Sequence, residues 1–104
     1  MSAVLLERRV VGRKTPKDGR LELLAASADR LEALGEGFTV LALGRQAAGR
    51  IEAMACTCGK GGNTPDQPHV HRFAVCPLFQ ELTAGAEVCI ELIEERAALR
   101  VEPA

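Results

Sequence analysis

At 104 residues with a formal net charge of −1, the chain has the size of one ordinary domain, and we expect residues 1–104 to form a single unit. The balanced charge excludes a strongly basic nucleic-acid binder, and three phenylalanines without Trp or Tyr leave little for stacking on bases. The N-terminus lacks a basic start followed by a long apolar run, and no segment reaches the length of a membrane span. We therefore expect a soluble, cytoplasmic protein that binds neither nucleic acid nor membrane.

The first part of the chain predicts a hairpin, a short helix and a strand. Val4 to Arg13 interleaves aliphatic and charged residues, and the turn signal from Thr15 to Gly19 predicts a hairpin that returns through Arg20 to Ala25. Ser27 to Gly35 combines a residue able to cap, good helix formers and a terminal glycine, which favours one or two helical turns. Phe38 to Leu43 is typical of a buried strand.

The second part predicts further strands separated by turns. Alternation of Val88, Ile90 and Leu92 with polar residues is the clearest sign of a half-buried strand in the chain. A proline at the start of the segment before it favours a helical turn. In order, the predicted elements are a turn over Gly44 to Gly49, strands over Arg50 to Cys58 and His69 to Val75, a helical turn over Pro77 to Leu82, and strands over Ala86 to Glu94 and Leu99 to Glu102.

These elements predict a mainly β fold. About seven short strands at regular spacing, with one or two short helical turns, favour a small antiparallel barrel or sandwich. An α+β fold is the alternative, because Leu21, Leu24, Ala28 and Leu31 have helical spacing and the chain from Leu21 to Leu34 can form one longer helix.

Candidate metal ligands are concentrated in one stretch. Three of the four cysteines and both histidines lie between Cys56 and Cys76. Cys56 and Cys58 are separated by one residue, as are His69 and His71, and residues two apart on an extended chain point to the same face. In a reducing compartment such a cluster is more typical of a metal site than of disulfides.

The loop between the two pairs favours a hairpin. Ten residues with three glycines and two prolines separate Cys58 from His69, which allows the chain to reverse. With Cys58 opposite His69, Cys56 lies opposite His71, and two thiolates and two imidazoles form the tetrahedral ligand set that suits Zn²⁺. The same register places Met54 opposite Phe73, an apolar pair beneath the metal.

Two further cysteines complete the inventory. Cys76 lies five residues beyond His71 and faces the other way on an uninterrupted strand, but Pro77 can bend the chain there. A Cys3His site, in which Cys76 replaces one histidine, is therefore the alternative ligand set. Cys89 stands alone in a predicted strand and is interpreted as a small, partly buried residue.

The Cys-x-Cys start resembles two known patterns over about twenty residues. Cys56, Cys58 and His71 match positions of the SWIM-type zinc finger, where His69 replaces a cysteine. The opening also resembles the CDGSH iron–sulfur pattern, without its Cys-Asp-Gly triplet. The chain is not assigned to either family.

Three functions are compatible with this ligand set. A closed set of four protein ligands leaves no position for water, which favours a structural zinc in a module that binds a protein partner, and argues against an enzyme. The first alternative is a zinc hydrolase with three ligands and an open position, for which Glu52 is the nearby candidate base. The second is an electron carrier with a [2Fe–2S] cluster held by two cysteines and two histidines.

Overall fold

The computed structural model describes residues 3–35, 37–56 and 69–104, with the backbone alone at positions 55, 56 and 69. This part of the chain contains seven strands, two short α-helices and two 3₁₀ turns. The strands are β1 (Val4–Val10), β2 (Arg20–Leu23), β3 (Phe38–Ala42), β4 (Arg45–Cys56), β5 (His69–Val75), β6 (Glu87–Ile93) and β7 (Ala98–Pro103). The helices are α1 (Lys14–Asp18) and α2 (Ala25–Glu32), and the 3₁₀ turns are Pro77–Glu81 and Glu94–Arg96.

The strands form one curled sheet in the order β1-β6-β7-β3-β4-β5-β2, which closes into a half-barrel. Neighbouring strands are antiparallel except β3 and β7, which are parallel. The prediction of a mainly β fold with about seven strands is thereby confirmed. The single helix over Leu21 to Leu34 is not formed, because its first residues pair with β5 as strand β2. No helix in the described ranges is long and apolar enough to cross a membrane.

Strand β4 connects the two halves of the sheet. Its residues Arg45–Gly49 pair with β3, and its residues Arg50–Cys56 pair with β5. The change of partner occurs at Gly49, where a Cβ atom would lie 2.7 Å from both the Phe38 ring and a Val40 methyl group. A glycine therefore allows the buried side chains of β3 to pack directly against the β4 backbone at this corner.

The concave face of the sheet is filled by α2 and by the turn at Pro77–Glu81. Phe79 of this turn and Leu31 of α2 are almost completely buried and pack against the apolar side chains of the strands. The largest fully buried side chains are Phe79, Leu21, Leu31, Ile90, Leu92, Leu99, Val40, Val101 and Cys76. The alternation of Val88, Ile90 and Leu92 is confirmed, since all three point into this core.

The predicted hairpin between the first two strands is wrong. β1 pairs with β6 and β2 pairs with β5, so the two strands lie at opposite edges of the sheet. After β1 the chain is bound to the segment before β6, because Val11 N–H donates to the Ala86 carbonyl oxygen and accepts from Gly85 N–H, both at 2.8 Å. The turn signal instead forms the one-turn helix α1, which ends at Gly19 with a left-handed φ of 70°.

Glu7 bridges the two edge strands. Its carboxylate is buried, and its two oxygens accept hydrogen bonds from Leu24 N–H at 2.9 Å and from Arg9 Nε at 2.8 Å. Leu24 is the N-cap residue of α2 and has no capping side chain of its own, so the carboxylate from β1 satisfies only the backbone N–H of Leu24. An inward-pointing charge also makes an edge strand a poor template for pairing with another chain.

The predicted turn over Gly44 to Gly49 is also wrong. The reversal takes place at Leu43 and Gly44 alone, which have positive φ angles of 56° and 73°. A two-residue turn of this kind matches the twist of the flanking strands, so β4 begins at Arg45, earlier than Arg50. The small residues that resemble a turn in the sequence instead pair with β3.

The remaining predicted elements are close to those observed. The strand over His69 to Val75 and the helical turn at Pro77 are confirmed, and β6 and β7 form the expected final hairpin. Helix α2 begins at Ala25, two residues before the predicted start at Ser27.

Gly49→Ala is expected to lower the free energy of unfolding by about 1–3 kcal/mol, because the added methyl group overlaps Phe38 and Val40 in a packed core. Chemical denaturation measures this change. Gly12→Ala is the matched control, since no atom lies within 4 Å of a Cβ at that position. Equal stabilities of the two variants would contradict the close packing at the β4 corner.

Candidate metal centre

The register between β4 and β5 places the candidate ligands at the end of this strand pair. The pairs run from Arg50 opposite Val75 to Cys56 opposite His69. Cys56 therefore lies opposite His69 and not His71, which lies opposite Met54. The predicted register is wrong by two residues, so Phe73 lies opposite Glu52. A shift of two keeps every side chain on its own face, and the alternation of apolar and polar residues does not distinguish the two registers.

The positions of three candidate ligands share one face of the strand pair. Directly opposed residues of antiparallel strands have Cα atoms about 4.5–5.5 Å apart, and the diagonal neighbours lie at about 7–8 Å. Cys56 is a direct neighbour of His69 and a diagonal neighbour of His71. Cys58 lies outside the described residues, as does the predicted extension of the strand to that residue.

The side chain of His71 contacts a carboxylate from the neighbouring strand. Its Nδ1 atom lies 3.2 Å from Oε2 of Glu22, which is positioned by the pairing of β2 with β5. In the tautomer that donates from Nδ1, the lone pair of the ring is on Nε2, the atom that a metal binds. A histidine oriented by a carboxylate is the common arrangement around zinc in proteins.

The aromatic ring of Phe73 lies next to the imidazole ring of His71. The rings of His71 and Phe73 have centroids 6.5 Å apart and planes inclined by 48°. Phe73 is 5% exposed although it lies on the outer face of the strand pair. The long charged side chains of Arg20 and Glu52 form an ion pair of 2.9 Å on the same face. The His71 ring is thus held by a buried aromatic residue on one side and a carboxylate on another.

Glu52, the candidate general base of the hydrolase alternative, forms ion pairs with two arginines. Its oxygens lie 2.9 Å from Arg20 Nη2 and 3.4 Å from Arg50 Nη2. Both carboxylate oxygens of Glu52 thus lie against arginine side chains. This geometry does not favour Glu52 as the general base of a hydrolase.

The structure separates Cys76 from the histidines. Cys76 is 1% exposed and belongs to the hydrophobic core, and its backbone bonds to Gly19 and Phe79. Five residues of extended chain between His71 and Cys76 correspond to roughly 16 Å. Burial raises the pKa of the Cys76 thiol, and the Leu78 N–H partly offsets this effect. A neutral thiol in a core is a poor metal ligand.

Cys89 lies on β6, which is separated from β5 by three strands in the sheet order. It is partly buried in β6, between Arg8 on β1 and Glu102 on β7. Its position agrees with the interpretation as a small strand residue.

Among the side chains that the structure describes, which include neither Cys56 nor His69, no group of three or more His, Cys, Asp or Glu is arranged to hold a metal ion. The predicted ligand set reaches beyond these side chains because it contains Cys58. In comparisons with known proteins, neither a family model nor a curated sequence matches the chain.

Glu22 is the residue of this site that sequence reasoning missed. It lies 49 positions before His71, and its neighbourhood in the sequence resembles a hairpin or a helix. Only the pairing of β2 with β5 brings its carboxylate to the imidazole. The available signal is its place in an alternating segment, where Leu21 and Leu23 are buried and Glu22 must face outward.

The raised pKa of Cys76 predicts a loss of stability at high pH. The unfolded thiol ionises near its ordinary pKa of 9.0, whereas the buried thiol keeps its proton, so the unfolding free energy falls as the pH rises above about 9. Denaturation curves between neutral pH and pH about 10 measure this slope.

Cys76→Ala is expected to be less stable at neutral pH but to show a smaller slope above pH about 9, because it lacks this thiol. Cys89→Ala is the matched control and should keep the slope of the parent protein. If the unfolding free energies of the parent protein and of Cys76→Ala fell with pH at the same rate, the slope would not come from the Cys76 thiol.

Proposed function

We propose that this chain is a small zinc-binding β domain in which Cys56, Cys58, His69 and His71 hold a structural Zn²⁺. We further propose that it acts in the cytoplasm as a binding or assembly module. The single observation that supports this proposal most strongly is the β4–β5 register, in which Cys56 lies directly opposite His69.

The chemistry of the donors fits zinc. Two thiolates and two neutral imidazoles satisfy a tetrahedral Zn²⁺, with bonds of about 2.3 Å to sulfur and about 2.0 Å to nitrogen. The contact between Glu22 and His71 supports the proposal, because a carboxylate on Nδ1 favours the tautomer that binds a metal through Nε2. When bound, the ion would join the end of β4 to the start of β5.

A protein partner is the natural counterpart of a closed site. Four protein ligands leave no open position, which favours a structural role over hydrolysis. Met54 is 38% exposed and Val70 is 57% exposed, and they lie on opposite faces of the same strand pair. Each face of the pair thus presents one exposed apolar side chain near the proposed zinc, and we expect the partner to contact one of these faces.

Cys56→Ser and Cys58→Ser are each expected to abolish zinc retention and to lower the melting temperature, because ligand binding is coupled to folding. Elemental analysis of protein purified without chelator, together with thermal denaturation, measures both effects. Cys89→Ser is the matched control and should keep its zinc. Unchanged metal content in both ligand variants would refute the proposal.

The same preparation distinguishes the alternatives. A red-brown protein that contains iron and sulfide would identify the [2Fe–2S] carrier instead, since a zinc site is colourless. A zinc protein that is inhibited or altered by small anions would have an open position, as a hydrolase does. One equivalent of zinc without either property supports the structural site.

Glu22→Gln is expected to weaken zinc binding by about 10–100-fold, because the amide no longer provides the charged acceptor that orients the His71 ring. Competition with a chromophoric chelator measures the affinity. Glu52→Gln is the matched control, since this carboxylate lies on the same face but pairs with arginines. A similar loss in both variants would indicate a general effect of charge and contradict the role of Glu22.

A further inference from the structure

A cavity lies where the end of β1 approaches the start of β2, at the open seam of the half-barrel. Its volume is about 360 Å³, which falls within the range of small-molecule sites. The charged side chains around it are Arg9, Arg13, Lys14, Arg20 and Glu22, and Phe73 contributes apolar surface. The cavity adjoins the candidate metal centre, because Glu22 and Phe73 line it and also lie against His71.

The charge of this cavity does not follow from the composition. The chain has a net charge of −1, yet four cationic side chains and one carboxylate line the cavity. Cations that converge on a concave surface raise the local concentration of anions and stabilise a bound one. Carboxylates that pair with Arg9 and Arg20 compensate part of this charge, and the remaining positive charge favours a negatively charged ligand.

Two of the cations are held in place by the protein. Arg9 donates from Nε to the buried Glu7 at 2.8 Å, and its Nη1 atom lies 4.0 Å from Glu22. The Nη2 atom of Arg20 lies 2.9 Å from Glu52, and its Nη1 atom lies 3.8 Å from Asp18. Both side chains are partly buried, with 23% and 29% of their surface exposed. These ion pairs orient the two guanidinium groups, and an arginine has five N–H donors in total.

The other two cations are uncommitted. Arg13 and Lys14 are exposed, and neither forms an ion pair with another described residue. Their charges are therefore available at the mouth of the cavity. Fixed arginines inside and free cations at the mouth suit a dianion better than a single carboxylate, because a phosphate offers three acceptor oxygens.

We propose that this cavity binds the phosphate group of a small organic phosphate monoester. Arg9 and Arg20 contact the phosphate oxygens, Arg13 and Lys14 neutralise the second charge, and the apolar surface of Phe73 receives the organic part. A nucleic acid is not the expected ligand, because the chain has three aromatic residues other than histidine and a net charge of −1.

Titration of the full chain with phenyl phosphate, followed by amide chemical shifts in NMR, tests this proposal. We expect saturable shifts around residues 9–22 and an affinity that falls with ionic strength. The double variant Arg13→Gln/Lys14→Gln should bind at least about tenfold more weakly, because it loses two charge-assisted contacts. Arg8→Gln/Lys17→Gln is the matched control, with the same loss of charge on exposed residues outside the cavity.

The outcomes separate the possible sources of binding. Retention of affinity within about twofold by the control, together with the loss in the cavity variant, supports the site. Equal weakening of both double variants would show non-specific attraction and overturn it. Benzoate binding as tight as that of phenyl phosphate would overturn the selectivity for phosphate. Inorganic phosphate binding as tight as phenyl phosphate would overturn the organic monoester as the ligand.

Discussion

The pairing of β4 with β5 is the constraint on which the candidate site depends. β5 lies between β4 and β2, so its register decides which residues of two neighbouring strands face each of its side chains. The pairing of β5 with β4 brings Cys56 opposite His69, and the pairing of β5 with β2 brings Glu22 to His71. A single strand thus connects the predicted ligands to the carboxylate that orients one of them. The corner at Gly49 is what allows β4 to leave β3 and follow β5.

Local patterns in the sequence predict the elements and their faces well. The strand over His69 to Val75 and the buried alternation of Val88, Ile90 and Leu92 follow from period-two patterning, and the structure contains both. The register of β4 and β5 does not follow in the same way, because a slip of two residues changes neighbours without changing faces. The prediction that the candidate ligands share one face of the strand pair therefore survives this error, whereas the prediction of which residues lie directly opposite each other does not.

The errors in the prediction share a non-local cause. The segment from Thr15 to Gly19 has the composition of a hairpin turn, but its flanking strands find partners about 50 to 90 positions later, in β5 and β6. Contacts of Glu7 with Leu24 and of Glu22 with His71 likewise join distant segments. Composition within a short window carries no information on such partners, because loop closure and the packing of the whole sheet decide them.

The position of the candidate metal site limits what a metal contributes to the fold. The largest buried side chains, such as Phe79 and Leu99, lie in the half-barrel, whereas Met54 and Val70 beside the ligand positions are exposed. A domain of this size buries enough apolar surface to fold without a metal. A zinc ion bound there as proposed would therefore act mainly on the end of the β4–β5 pair. Its binding energy would stabilise the folded chain as a whole only to the extent that this end unfolds together with the core.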